Sequence, residues 1–324
     1  MYIIRVATAS NFGQGHINRC LKIRKKINSK VVWFVDKGTK KNLLKILQDE
    51  IIEEKNHTSF LRTEKYAIKY NAKCIIIDNP EIEKFRKNNI LRIKPVVIFV
   101  DKYLLVNNVL SICMHPININ KRNFISGLKY LPFIKKSQKL RKNKKIKNIL
   151  VSFGNVDTKC FTEKIIKTLQ ELTFNGFLME DKFKVNIILG KYKMNITSIR
   201  RMISLNKNFT LFRNPTSLDK IYNYSDFAIG APGFSQIERL EYNIPTVLVA
   251  QNEIQKKLLT SWEESGCALI VKNIHRDLKQ KILLMVQSDQ TTNNIKEMIS
   301  KQFDNHGTSR ILEKIENYIY DYNN

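Results

Sequence analysis

Short apolar runs alternate with longer amphipathic stretches along the whole chain. Runs such as YIIRVAT, CIIID and VVIFVD are almost continuously hydrophobic, as expected of strands buried on both faces of a parallel sheet. The stretches between them carry apolar residues at helical spacing, so the pattern predicts repeated strand–helix units and an α/β chain. In the first half the strands fall at 2–8, 30–35, 74–78 and 96–101, with helices near 16–27, 39–50 and 63–70. The second half restarts the pattern with strands at 148–154, 185–190, 209–213, 226–230, 245–250 and 267–271.

For 324 residues, two doubly wound, Rossmann-like domains in tandem is the economical organisation. The first is expected at 1–140, the second at 141–305, with a C-terminal segment at 306–324. Sheets of this kind take ligands at the carboxyl ends of their strands, so two facing domains would leave a cleft between their loops. Functional residues therefore belong just after strands.

Composition narrows the class. The chain is 43% hydrophobic, yet nowhere approaches the roughly 18 uninterrupted apolar residues of a membrane helix, so no stable membrane insertion is expected. Met1 runs directly into the first strand without the basic region and apolar core of a secretory signal, which predicts a cytoplasmic chain. The five cysteines are odd in number, far apart and free of CxxC spacing, as reduced structural thiols would be. A net charge of +27 comes mostly from dispersed lysines; only RKNKKIKN at 141–148 is dense. Without aromatic-interleaved basic motifs, this charge does not predict a nucleic-acid partner.

The candidate chemistry sits after strands. GQGHINR follows the first one: Gly13 and Gly15 allow a tight turn close to a ligand, and His16 opens a helix. His16 is either a polar residue of the first helical turn or a general base, kept neutral near pH 7 by the positive helix end. Asn18 stands where a dinucleotide motif has its third glycine, so no dinucleotide is expected. GNVD, at Gly154 to Asp157, is a strand–helix turn in which Asp157 either caps the helix or faces a phosphorylated ligand. In GAPGFSQIE, Gly233 and Ser235 suit a pyrophosphate and Glu238 suits ribose hydroxyls, although S-x-x-E is also a capping box. Asp78 and Asp101 end strands, where they could orient His16, meet a sugar, or cap turns. The remaining histidines, His57, His115, His275 and His306, have no spacing that predicts a metal site.

These motifs resemble the UDP-sugar hydrolases of pseudaminic-acid biosynthesis, a nonulosonic-acid route. The resemblance runs nearly end to end, through R-x6-FGQGHINRCLKI (5–23), IIID (75–78), GLKY (127–130), VSFGNVD (151–157), AIGAPGFSQIERLEYNIPTVLVAQN (228–252) and DNHGTSRILEKI (304–315). It implies a two-domain GT-B fold, with UDP held mainly by the second domain, the sugar by the first, and the C-terminal helix returning to the first. It also implies cofactor-free, metal-independent, inverting hydrolysis of a UDP-linked 2,4-diacetamido-2,4,6-trideoxyhexose, with His16 activating water; the strand-end Asp78 is taken as the second catalytic candidate. Gly13 and Gly15 would face the substrate, Gly233 and Ser235 the diphosphate and Glu238 the ribose, and Asn252 would sit near the substrate. Asn11, Arg19, Gly154, Asn155, Asp157 and Phe234 complete the substrate-binding candidates. The chain departs from the family pattern at Ala7, Asn155 and Glu253. The alternative is a glycosyltransferase of the same fold using a UDP-amino sugar donor, similar to the enzyme that adds N-acetylglucosamine to a lipid-linked muramyl peptide.

Overall fold

The computed structural model describes residues 1–9, 15–39, 48–55, 58–82, 94–119, 121–136, 147–154, 157–179, 182–190, 196–204 and 206–324. They form two compact units, Met1–Phe133 with Asp304–Asn324, and Ile134–Phe303.

The first unit carries a parallel sheet of β1 (Tyr2–Val6), β2 (Val31–Asp36), β3 (Glu50–Glu54), β4 (Cys74–Asp78), β5 (Val96–Val100), β6 (Val109–Cys113) and β7 (Phe124–Ser126). Their order is β3-β2-β1-β4-β5-β6-β7. Every residue of β1, β2, β4, β5 and β6 is buried, which is why these strands read as continuous apolar runs. Helices α1 (Gly15–Arg24) and α2 (Leu61–Lys69) cross over between strands.

The second unit repeats the plan with β8 (Lys147–Ser152), β9 (Phe183–Leu189), β10 (Phe209–Arg213), β11 (Phe227–Gly230), β12 (Thr246–Val249) and β13 (Leu269–Val271), in the order β10-β9-β8-β11-β12-β13. Its helices are α3 (Phe161–Phe174), α4 (Ile196–Ile203), α5 (Asp219–Tyr224), α6 (Phe234–Glu241), α7 (Glu253–Glu264), α8 (Ile274–Gln287) and α9 (Asp289–Gln302). In each sheet the chain winds outward on one side of its first strand and then crosses to the other. The strand order therefore reverses between β1 and β4 in the first sheet and between β8 and β11 in the second, the position at whose carboxyl edge doubly wound folds take their ligands.

The last helix, α10 (Gly307–Asn323), belongs to the first unit. Ile311, Ile315 and Ile319 form its buried stripe. Gly307 lets it approach closely: a Cβ there would lie 2.0 Å from the Leu131 carbonyl oxygen. Tyr318 adds a hydrogen bond from its hydroxyl to Asn108 O at 2.7 Å.

Three details differ from the sequence pattern. Of the helix expected at 39–50, residues 40–47 lie outside the described residues, while Glu50 begins strand β3. EIIEE pairs with β2 at the edge of the sheet, where Glu50 is exposed and the buried Glu54 is satisfied by Thr63 N and Oγ1, both at 2.8 Å, so charge masks the strand in the sequence. Strands β6 and β7 extend the sheet on the other side and were not expected. The division between units falls at Phe133/Ile134 rather than at 140/141, and Lys136 already bonds into the second unit: its N–H donates to Glu241 O at 2.6 Å and its Nζ to Asp219 at 2.9 Å. Residues 137–146, with most of the basic run, lie outside the described residues. All five cysteines are free, and only Cys160 is exposed.

Candidate functional site

In the first unit, β1 and β4 bring their carboxyl ends together, and Ala7 N continues their ladder by donating to Asp78 O at 2.9 Å. Asp78, the last residue of CIIID, is fully buried. A bare carboxylate there would be costly, and its partners explain how it is tolerated. Arg19, one turn into α1, donates through Nε to Oδ2 and through Nη2 to Oδ1, both at 2.6 Å. His16 Nδ1 lies 2.7 Å from Oδ1, and the Cys20 thiol points at Oδ2 from 3.7 Å. The spacing 16, 19, 20 places these three side chains on one face of α1, turned towards the end of β4.

Burial pushes the Asp78 carboxyl up, but the Arg19 charge and the His16 and Arg19 hydrogen bonds outweigh it and hold it well below the usual carboxylate range. An ionised carboxylate only accepts, so His16 carries its proton on Nδ1 and leaves Nε2 as the basic nitrogen. No described residue bonds to Nε2, and the His16 side chain is 13% exposed. The sequence suggested that the helix end would keep His16 neutral; the structure reverses that sign. Burial lowers its pKa, yet the charge and hydrogen bond of Asp78 prevail and raise it above 6.5. A formal negative charge in contact outweighs the partial positive charge of a helix end.

Arg19 itself is 1% exposed, with its guanidinium over the Phe99 ring at 5.0 Å. It therefore holds Asp78 rather than presenting a free cation. Asp101 lies 3.6 Å from Arg19 with half of its side chain exposed. A second buried pair, which sequence reasoning missed, shapes the loop after β1: Arg5 Nη2 bonds Asp36 Oδ1 at 2.8 Å, and Asp36 Oδ2 accepts from Thr8 N and Ala9 N at 2.6 and 2.9 Å. Gly15 opens α1, whereas Asn11 and Gly13 lie outside the described residues.

In the second unit the loops after β8, β11 and β12 converge. Gly154 has φ +82°, and a Cβ on it would lie 3.9 Å from Ser235 Oγ. Gly233 is the residue preceding α6, with Phe234 and Ser235 inside the first turn, so Ser235 is not the cap and the S-x-x-E capping box does not form. No described residue bonds to the Ser235 hydroxyl or the Glu238 carboxylate. Burial raises the Glu238 pKa, partly offset by Arg239 and Lys136. Gly230 is required by packing, since a Cβ there would lie 2.1 Å from Ser152 O and 2.8 Å from Arg239 Nη1. Arg239, fully buried, ties the two strand ends through Ser152 O and Ala231 O.

Two candidates serve local structure. Asp157 accepts from Phe161 N at 2.9 Å and Thr162 N at 2.7 Å, anchoring the start of α3. Asn252 caps α7 by accepting from Gln255 N at 2.9 Å. Asn155 lies outside the described residues. The neighbouring Gln251, which the sequence reading passed over, is 6% exposed and bridges loops: Nε2 donates to Phe153 O at 3.2 Å, and Oε1 accepts from Thr158 N at 2.9 Å. Among the described residues, no group of three or more His, Cys, Asp or Glu side chains is arranged to hold a metal ion. None of the described helices is long and apolar enough to cross a membrane.

No protein-family model matches the chain. Uncharacterized protein MJ1062 of Methanocaldococcus jannaschii is 26% identical over 274 residues, 76% of this chain; the match spans 54% of that protein, about half its length. Among solved structures, the glycotransferase of kitacinnamycin is similar with a TM-score of 0.69 and 12% identity, over 98% of this chain and 99% of that one. MurG of Acinetobacter baumannii gives 0.68 and 14%, over 98% and 99%. The S. aureus MnaA–UDP co-structure gives 0.66 and 11%, over 98% and 97%. At such identities the likeness establishes the fold alone, and that fold is GT-B, built from two Rossmann-like domains.

Proposed function

We propose that the chain is a UDP-sugar-acting enzyme, and specifically a hydrolase that releases UDP and free sugar from a UDP-linked 2,4-diacetamido-2,4,6-trideoxyhexose. The observation that carries the reading is the Asp78–His16 pair at 2.7 Å, which leaves Nε2 as a base at the carboxyl edge of a doubly wound sheet. In this scheme Nε2 takes a proton from water as its oxygen attacks the anomeric carbon. The bond from that carbon to the β-phosphate oxygen breaks, its electron pair leaves with UDP, and the anomeric centre inverts. Asp78 orients the imidazole and stabilises the imidazolium, and Arg19 keeps Asp78 ionised.

The second unit supplies groups that suit UDP. The Ser235 hydroxyl, which no described residue engages, and the α6 amides fit a diphosphate, with Gly154 and Gly233 carrying no side chain beside them. Glu238, one turn further, fits the ribose hydroxyls. The similarity to a UDP co-structure and to glycosyltransferases agrees with a UDP-sugar substrate. The test is incubation with the UDP-sugar and no acceptor, using wild type and His16→Ala. Free sugar released by the wild type and lost in the variant supports hydrolysis. Turnover that begins only when an acceptor is added would assign glycosyl transfer instead.

A further inference from the structure

We propose that Gln255, on the first turn of α7, is a diphosphate-binding residue, its side-chain amide aimed by Gln251; the inference rests on the UDP-sugar reading. Gln255 Oε1 accepts from the backbone N–H of Gln251 at 2.8 Å. Because an N–H can meet only an acceptor, this bond fixes which end of the amide is oxygen and turns Nε2 to the other side. That side faces the turn before α6: Nε2 lies 3.7 Å from where a Cβ on Gly233 would stand.

Gln251 is itself fixed at both ends of its side chain, by Phe153 O and Thr158 N. The two glutamines therefore tie the loop after β12 to the loop after β8 and direct a pair of N–H donors at the loop after β11. Among the described residues nothing accepts from Gln255 Nε2 and nothing engages Ser235 Oγ. The Ser235 hydroxyl stands 3.9 Å from where a Cβ on Gly154 would lie and the Gln255 amide 3.7 Å from where one on Gly233 would lie, so each donor sits beside a turn whose residue carries no side chain. Donors held in place without an acceptor among the described residues suit an anionic oxygen, and a phosphoryl oxygen accepts several such bonds at once.

Gln255→Glu keeps the acceptor for Gln251 N and replaces only the donor, so the brace survives while an oxygen faces the anion. Gln255→Ala removes both. Calorimetric titration of the full chain with UDP and with uridine, alongside melting temperatures, tests the assignment. UDP binding is expected to weaken about 10- to 100-fold in Gln255→Ala and further in Gln255→Glu, with uridine binding changed by less than about twofold. Gln255→Glu that binds UDP as the wild type does, or that weakens uridine as much as UDP, overturns this inference alone. A wild type that binds no UDP overturns both it and the functional reading.

Discussion

Replacing Asp78 by Asn removes one charge from the end of β4 while leaving its donors in place. In the wild type Oδ1 accepts from Arg19 Nη2 at 2.6 Å and His16 Nδ1 at 2.7 Å, and Oδ2 from Arg19 Nε at 2.6 Å. Asparagine offers one acceptor and one donor, so an N–H of His16 or Arg19 must face another N–H. With Arg19 buried, water does not replace the lost charge, and breaking such a pair from one side costs about 3–5 kcal/mol. For a unit of this size that is a fall in Tm of roughly 10 °C. His16 also loses its orienting partner, for a drop in kcat of about 10²- to 10⁴-fold.

The pH dependence separates loss of charge from general disruption. Because the folded pKa of Asp78 is depressed, its stabilisation is present above the unfolded value of about 4 and is lost as pH falls through the folded one. The gap between wild-type and variant melting temperatures should therefore narrow below about pH 4. Circular dichroism melts at several pH values, paired with turnover of a UDP-sugar, measure both effects. A variant that melts with the wild type at pH 7 would refute the buried ion pair. One that melts lower yet turns over normally would refute the dependence of His16 on Asp78.

The raised His16 pKa places the rising limb of kcat/KM against pH above 6.5, because the base acts when neutral, and Asp78→Asn should move that limb down; a wild-type limb at or below 6.5 contradicts the assignment. Glu238→Gln should weaken UDP about tenfold while leaving 2′-deoxy-UDP nearly unchanged, and equal losses for both in a binding titration would remove Glu238 from the ribose. Gly230→Ala should cost about 1–3 kcal/mol or more, because its Cβ would lie 2.1 Å from Ser152 O. Gly233→Ala, with 3.7 Å of clearance, should keep the wild-type Tm and lose UDP affinity; a large fall in its Tm would show that the turn is packed rather than open.

The buried strands were legible because parallel sheets covered on both faces need continuous apolar runs, as in CIIID and VVIFV. Edge strand β3 was not, since the three glutamates of EIIEE, one of them buried, reproduce a helical mixture of charge and hydrophobicity. Placing His16 and Asp78 after strands followed from the fold class, but the sign of the His16 shift needed the 2.7 Å contact between residues 62 positions apart. Arg19 was expected among the substrate-binding residues; only its burial against Asp78 shows that it holds that carboxylate. The roles of Gln251 and Gln255 are set by loops distant in sequence, and no local pattern announces them.

Time-resolved NMR of the 324-residue chain with a UDP-linked 2,4-diacetamido-2,4,6-trideoxyhexose, without acceptor, tests the central claim most directly. The account predicts stoichiometric UDP and free sugar, the first-formed anomer inverted relative to the substrate, with turnover abolished in His16→Ala. Retention of configuration, or full turnover in His16→Ala, would contradict it.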